Sequence, residues 1–149
     1  MSILNGLSRG LVVLALGGIL GGGTAYANED TVAIQTIILE AQGESLEGQI
    51  AVGETIRKRA VMRNLSHSQV CTQYRQYSAL NDSLGARNRL KSVSPEVFQR
   101  ASRAWALSDG SRLTKGATHY HTLDVHPYWA KGKRPCLRLG NHLFYNNVK

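Results

Sequence analysis

The chain has 149 residues and a formal net charge of +8. That length suits one domain, and no internal repeat, low-complexity run or linker follows residue 30 to suggest a repeat or multi-domain protein. A basic balance suits a polyanionic partner, although a merely soluble basic surface has the same composition.

Residues 1–27 read as a signal peptide. Met1 to Gly10 is a short n-region with Arg9 as its only charge, and Leu11 to Gly22 is apolar and glycine-rich. Ala25-Tyr26-Ala27 is an A-x-A cleavage site before polar Asn28-Glu29-Asp30. The apolar run is too short and wrongly flanked for a membrane span. An uncleaved signal anchor is the alternative, and only that form would touch a membrane. Cleavage leaves residues 28–149 as a single domain of about 122 residues, enough for one core. Loss of Arg9 lowers the net charge from +8 to +7. The expected location is exported: periplasmic, cell-wall or extracellular. Export favours the anionic bacterial envelope over nucleic acid as the partner.

The run from Val32 to Leu39 has apolar residues at helical spacing and carries Glu40 at its end. Gly43 breaks the helix, and Ser45 is a candidate N-cap for the next. Glu40 would then stand at the C-terminal end of a buried helix. Apolar neighbours and the negative helix end both raise a carboxyl pKa, as a general acid requires. The bland alternative is that Glu40 and Glu44 are two solvated surface acids.

An amphipathic helix is expected from about 46 to 63. Leu46, Ile50, Gly53 or Ile56, and Ala60 form its inner face; Glu47, Glu54, Arg57, Lys58 and Arg59 fall mostly elsewhere. Ser66 or Ser68 caps a short helix through Val70 and Tyr74. Residues 75–93 are polar, broken by Gly85, and read as loop around a structured segment from Arg75 to Leu80. Ser94-Pro95-Glu96 starts another helix, ending near Ser108-Asp109-Gly110. Strand composition then appears at 117–121, 137–139 and 143–145, with Gly140-Asn141 as a turn. Helices followed by a small antiparallel sheet make an α+β domain.

Cys71 and Cys136 are the two cysteines, and in an exported chain an even count suggests a disulfide. Two buried thiols are the alternative. Four of the five histidines lie in the last third. His119 and His121 are two apart on a presumed strand and share one face, where two imidazoles could hold zinc or bind substrate. No His-Glu-x-x-His and no cysteine pair of ligand spacing is present, so no metal or other cofactor is expected. Tyr128, Trp129 and Tyr145 offer flat faces on which sugars stack, or else belong to the core.

These motifs together resemble the SleB/CwlJ-type cell-wall hydrolases (the spore-cortex-lytic-enzyme-like family). Glu40-Ala41-Gln42-Gly43-Glu44 resembles the family's Glu-Ala-x-Gly-Glu signature. Val70-Cys71, Gln76-Tyr77-Ser78-Ala79, Gly116 to His121, Pro127 to Ala130 and Leu139 to Tyr145 follow in the family's order. Departures are Lys58-Arg59 where the family usually has Asn-Arg, and Tyr77 where Phe is common. The resemblance implies a lysozyme or lytic-transglycosylase-like fold acting on peptidoglycan; a monomer is expected, with no nucleic acid as partner. It implies cleavage of the β-1,4 bond from N-acetylmuramic acid to N-acetylglucosamine with Glu40 as the acid. Glu44, Gln76, Tyr77, His119, His121, Trp129, His142 and Tyr145 become supporting or substrate-binding residues. Apart from the signature, Asp82, Asp109 and Asp124 are the remaining candidates for a second carboxylate, and none is convincing. One acid is enough for a lytic transglycosylase, which is therefore preferred over a two-carboxylate hydrolase. A zinc-dependent amidase or peptidase using His119, His121 and Glu40 is the alternative, with a non-catalytic wall-binding module behind it.

Overall fold

Helix α1, Thr24–Ala41, turns one side of its chain fully inward: Ala33, Thr36, Ile37, Ile38 and Ala41 are buried. The structure, a computed structural model, describes residues 24–73, 77 and 83–148, and only the backbone of 24–29 and 83. Most of the expected signal segment therefore lies outside the described residues. The expected cleavage site falls in the first turn of α1, which begins eight residues before Val32. No helix among the described residues is long and apolar enough to cross a membrane.

Gln42 and Glu44 still donate back to Ile38 and Ala41, so the chain leaves α1 in a tight turn. Ser45 then caps α2, Leu46–Arg63, accepting from the Gly48 amide at 3.2 Å. The expected bounds hold, but its inner face differs. Leu46 and Ile50 are only half-buried, whereas Glu54 and Arg59 are buried. The reason is tertiary: α2 packs against α1 and two further helices on one side, while the chain after residue 108 covers the other. A lone amphipathic pattern presumes one wet face, and the middle of α2 has none.

Helix α3, His67–Thr72, opens with a capping box between Ser66 and Gln69 and buries Val70 and Cys71. Residues 74–76 and 78–82 lie outside the described residues, and with them Gln76. Ser83–Lys91 forms helix α4, where a loop was expected. Its sequence gives little periodic signal: Ala86 is buried, Leu90 is half-buried, and Gly85 reads as a breaker. Packing against α1 outweighs the ~1 kcal/mol that a helical glycine costs. Helix α5, Pro95–Leu107, starts at the expected cap with proline in its first turn. Ser94 makes no backbone cap; its hydroxyl bonds the Glu96 carboxylate instead. Ala101, Ala104 and Trp105 are buried, while Phe98 stays exposed.

Three strands follow: β1, His119–Thr122; β2, Leu137–Leu139; and β3, His142–Tyr145. They form one antiparallel sheet in the order β1-β3-β2, with Tyr120 opposite Phe144 and Leu139 opposite His142. The period of two gives the sheet two faces. Tyr120, Leu137, Leu139, His142 and Phe144 share the face that meets the helices; His119, His121, Arg138, Leu143 and Tyr145 share the other.

Two buried charges of α2 tie the sheet lobe to the helices. Glu54 accepts from the Leu113 amide (2.7 Å), the Thr114 amide (2.8 Å) and the Thr114 hydroxyl (2.6 Å). One turn on, Arg59 donates through Nε to the Thr118 carbonyl at 2.5 Å and lies over the Tyr77 ring. The expected disulfide is not formed: the two sulfurs are not bonded to each other. Cys71 is buried on α3, while the Cys136 thiol, leading into β2, donates to the Thr114 and Phe144 carbonyls at 3.3 Å each.

Burial pushes the Glu54 carboxyl up, but hydrogen bonds from Ser111, Thr114 and Leu113 outweigh it and hold it below its ordinary value. A lowered folded-state pKa adds stability above the unfolded value, which is lost as pH falls through the folded one. Glu54→Gln should therefore cost about 1–3 kcal/mol at pH 7. Urea melts repeated at falling pH should show the gap between wild type and variant closing below about pH 4.5.

Candidate active site

Glu40 occupies the last turn of α1, half-exposed, beside the turn that Gly43 opens. From the sheet, Tyr120 reaches over and donates its hydroxyl to Glu40 Oε2 at 3.1 Å. Burial first, and the charge of Glu40 second, push the Tyr120 phenol well above its ordinary value. Tyr120 thus keeps its proton and is a permanent donor to that carboxyl. Its ring is fixed edge-on to His142 at 5.3 Å and tilted to Phe144 at 5.5 Å. The seam between helical lobe and sheet therefore carries a carboxyl with a fixed donor.

Glu44, four residues on, is placed differently. Its carboxylate accepts from the Asn141 amide at 3.3 and 3.4 Å, in the β2–β3 turn. Its carbonyl accepts from Arg100 on α5. The turn fits only because residue 140 lacks a side chain: a Cβ on Gly140 would collide with Glu44 Oε2, and Gly140 has φ +51°. His142 Nδ1 stands 3.5 Å from Glu44 Oε1. Burial pushes the His142 pKa down, and Glu44 only partly opposes this. The ring is therefore neutral at pH 7, and the contact, too long for a hydrogen bond, joins a charge to a dipole.

The other expected residues cluster on the opposite face of the sheet. Trp129, on a 3-10 turn at Tyr128–Ala130, packs against His119 (5.0 Å), His121 (5.6 Å) and Tyr145 (5.3 Å). His121 stacks on Tyr145 at 5.3 Å. His121 Nδ1 lies 2.8 Å from the Thr122 carbonyl, which can only accept, so the proton is assigned to Nδ1. Nε2 then accepts from the Tyr145 hydroxyl at 2.9 Å. His119 meets the Thr118 hydroxyl at 2.9 Å; burial, then Arg59 and Arg63, pull its pKa down to about 4. His119 and His121 do share one strand face, as their spacing implies.

The expected residues thus fall into two groups. Glu40, Glu44 and His142 lie at the helix–sheet seam; His119, His121, Trp129 and Tyr145 lie across the sheet from it. The set His119, His121 and Glu40 is split by strand β1. Among the described residues, no three His, Cys, Asp or Glu side chains come together. Tyr77 is 1% exposed beneath Arg59, so it supports the core and does not face a substrate. Sequence reasoning gave Tyr120 no role. The signal was the period of two, which turns it away from the histidines on either side.

The domain is thus a helical lobe closed by a small antiparallel sheet, with an acid at the seam between them. A family model for cell wall hydrolases matches residues 43–145, and the chain belongs to that family. The match includes Glu44 and begins three residues after Glu40. Among solved structures, the catalytic domain of the Bacillus cereus SleB protein is 24% identical with a TM-score of 0.65. The catalytic domain of the germination-specific lytic transglycosylase SleB from Bacillus anthracis is 22% identical with a TM-score of 0.66. Each likeness covers 87% of this chain and all of the other. A comparison with curated proteins finds no match.

Gly140→Ala would meet both the Glu44 carboxylate and an unfavourable left-handed backbone. It should cost about 2–4 kcal/mol in urea unfolding, the sum of overpacking and backbone strain. Glu44→Ala in the same chain should recover part of that loss, so that the two costs are not additive.

Proposed function

We propose that the chain cleaves the β-1,4 bond between N-acetylmuramic acid and N-acetylglucosamine in peptidoglycan as a lytic transglycosylase, with Glu40 as its single acid and base. The observation that carries this is the Glu40 carboxyl at the helix–sheet seam with the Tyr120 hydroxyl at 3.1 Å. Protonated Glu40 gives its proton to the glycosidic oxygen as the bond to C1 breaks, and the sugar passes through an oxocarbenium-like state. The resulting carboxylate takes the proton of the muramyl 6-hydroxyl as that oxygen attacks C1. The product is a 1,6-anhydro sugar, and Glu40 regains its proton. Tyr120, held protonated, donates to the carboxylate during the interval when it is charged.

Four of the other described acids have partners of their own, which supports a single-carboxyl mechanism. Glu44 is engaged by Asn141, Glu54 by Leu113 and Thr114, Asp30 by Trp105, and Asp109 by Arg57. The Bacillus anthracis neighbour is itself described as a lytic transglycosylase. His142 and Glu44 act here as positioning residues that hold the sheet against the end of α1. His119, His121, Trp129 and Tyr145 act as a platform on the far face of β1. The protein is read as a monomer working outside the cytoplasm, after removal of residues 1–27. N-terminal sequencing of the exported form should begin at Asn28; membrane-bound protein retaining Met1 would make the segment an anchor instead.

Glu40→Gln keeps the shape and removes the transferable proton. It should lower the release of muropeptides from purified sacculi by roughly 10²–10⁴-fold while the circular dichroism spectrum is unchanged. Tyr120→Phe should cost less, about tenfold, for one hydrogen bond to a charged group. Mass spectrometry of the wild-type digest should find anhydro-muropeptides. Reducing muramic ends would make the enzyme a hydrolytic muramidase, and a fully active, folded Glu40→Gln would remove Glu40 from the chemistry.

A further inference from the structure

On the far side of α2 from its helix partners, a groove of about 430 Å³ opens between the helix and the loop from Ser108 to Gly116. Four cations line it: Arg57, Lys58, Arg112 and Lys115. Two acids line it as well, Glu54 and Asp109, and both are already engaged. Glu54 is buried under the loop with its three bonds to Leu113 and Thr114. Asp109 lies 3.7 Å from Arg57 Nη1. Arg57 is itself held, donating to the Ser108 hydroxyl and the Trp105 carbonyl with its guanidinium 3.8 Å from the Trp105 ring centroid. Lys58, Arg112 and Lys115 remain, all exposed, and none makes an ion pair among the described residues.

The backbone brings the two lysines to one end of the groove. Among the described residues, Lys115 is one of two non-glycine residues with positive φ, at 54°, and Gly116 follows at +79°. An L-residue in that region costs roughly 1 kcal/mol, and such conformations gather at functional sites. Hydrogen bonds hold this one: the Lys115 amide donates to Arg112, and Asn146 donates to the Lys115 carbonyl. The Lys58 stem fills the space beside Gly116, its Cε 3.8 Å from where a Cβ would stand. The groove thus carries four cations against two acids, Glu54 and Asp109, an excess of two positive charges. Like charges gathered in excess repel one another, and a bound anion relieves that repulsion.

We propose that this groove is an anion-binding subsite, separate from the Glu40 seam, that takes a carboxylate or phosphate group of the wall polymer. The choice of polymer rests on the cell-wall reading above; the anion chemistry rests on the groove. Peptidoglycan bears carboxylates on its stem peptides, and many walls carry phosphodiester polymers. Either would anchor the enzyme on its insoluble substrate while the seam engages the glycan.

The test uses co-sedimentation with purified sacculi, measured in the Glu40→Gln background so that binding is read without digestion. Lys58→Gln, Arg112→Gln and Lys115→Gln combined should weaken binding about tenfold and flatten its salt dependence. A control with Arg87, Lys91 and Arg103 changed to Gln removes as many exposed charges outside the groove, and it should bind nearly as the parent does. Sacculi stripped of phosphate polymers with hydrofluoric acid, and sacculi with carboxyls amidated, separate the two sources. Whichever treatment abolishes the difference between parent and triple variant names the anion. The proposal is overturned if the triple variant binds native sacculi as tightly as its parent, or if the control loses as much. Because the readout is binding, a failure of Glu40 as catalyst would leave this result standing.

Discussion

The contact on which the site depends is the Glu44 carboxylate on the Asn141 amide. It fastens the β2–β3 turn to the turn that ends α1, and it does so through a space left by the missing side chain of Gly140. The hydrogen bond alone is modest, but it holds the turn from which β3 starts, while Phe144 seats the strand in the core. β3 is the central strand, so it carries β1 with it, and β1 delivers Tyr120 to Glu40. His142, next to the clamped amide, is buried and neutral and packs against Tyr120 from below. The two acids four residues apart thus differ in geometry: Glu44 faces the β2–β3 turn, and Glu40 faces the seam, where the proposed chemistry uses it.

A second pair of buried charges holds the lobes together from the opposite side. Glu54 gathers the loop after α5, and Arg59 gathers the entry to β1. Both satisfy backbone groups that would otherwise be buried unpaired, which is why charged residues stand in the middle of a helix's packed stretch. The cost of burying Glu54 is offset by three donors. Beside Glu54, Arg57 and Lys58 of α2 and Arg112 and Lys115 of the loop line the groove proposed to bind an anion.

Much of this was legible in the sequence. Glu40 at the end of an apolar run, Gly43 as the break and Ser45 as the cap lie within one local window, and local hydrogen bonds decide such features. The bounds of α2, the start of α5 at Pro95 and the three strands with a turn at Gly140 follow from capping and period for the same reason. Helix α4 was not legible, because a polar nine-residue segment with a glycine gives no periodic signal, and contact with α1 rather than propensity makes it a helix. The expected Cys71–Cys136 pair rested on parity and compartment. Geometry instead gives the Cys136 thiol two carbonyls as acceptors.

The sequence by itself determined the order of the elements other than α4, the acid at the helix end and the face shared by His119 and His121. It could not determine which of those groups meet. A strand's period of two places Tyr120 opposite its neighbours, but only the packing of sheet on helices decides which face receives Glu40. That packing puts Tyr120 at the seam and leaves the histidines with Trp129 on the other side. It likewise turns Glu54 and Arg59 from a presumed wet face into buried ties, because burial depends on what covers a helix from far along the chain, 59 residues away in the case of Arg59 and Thr118.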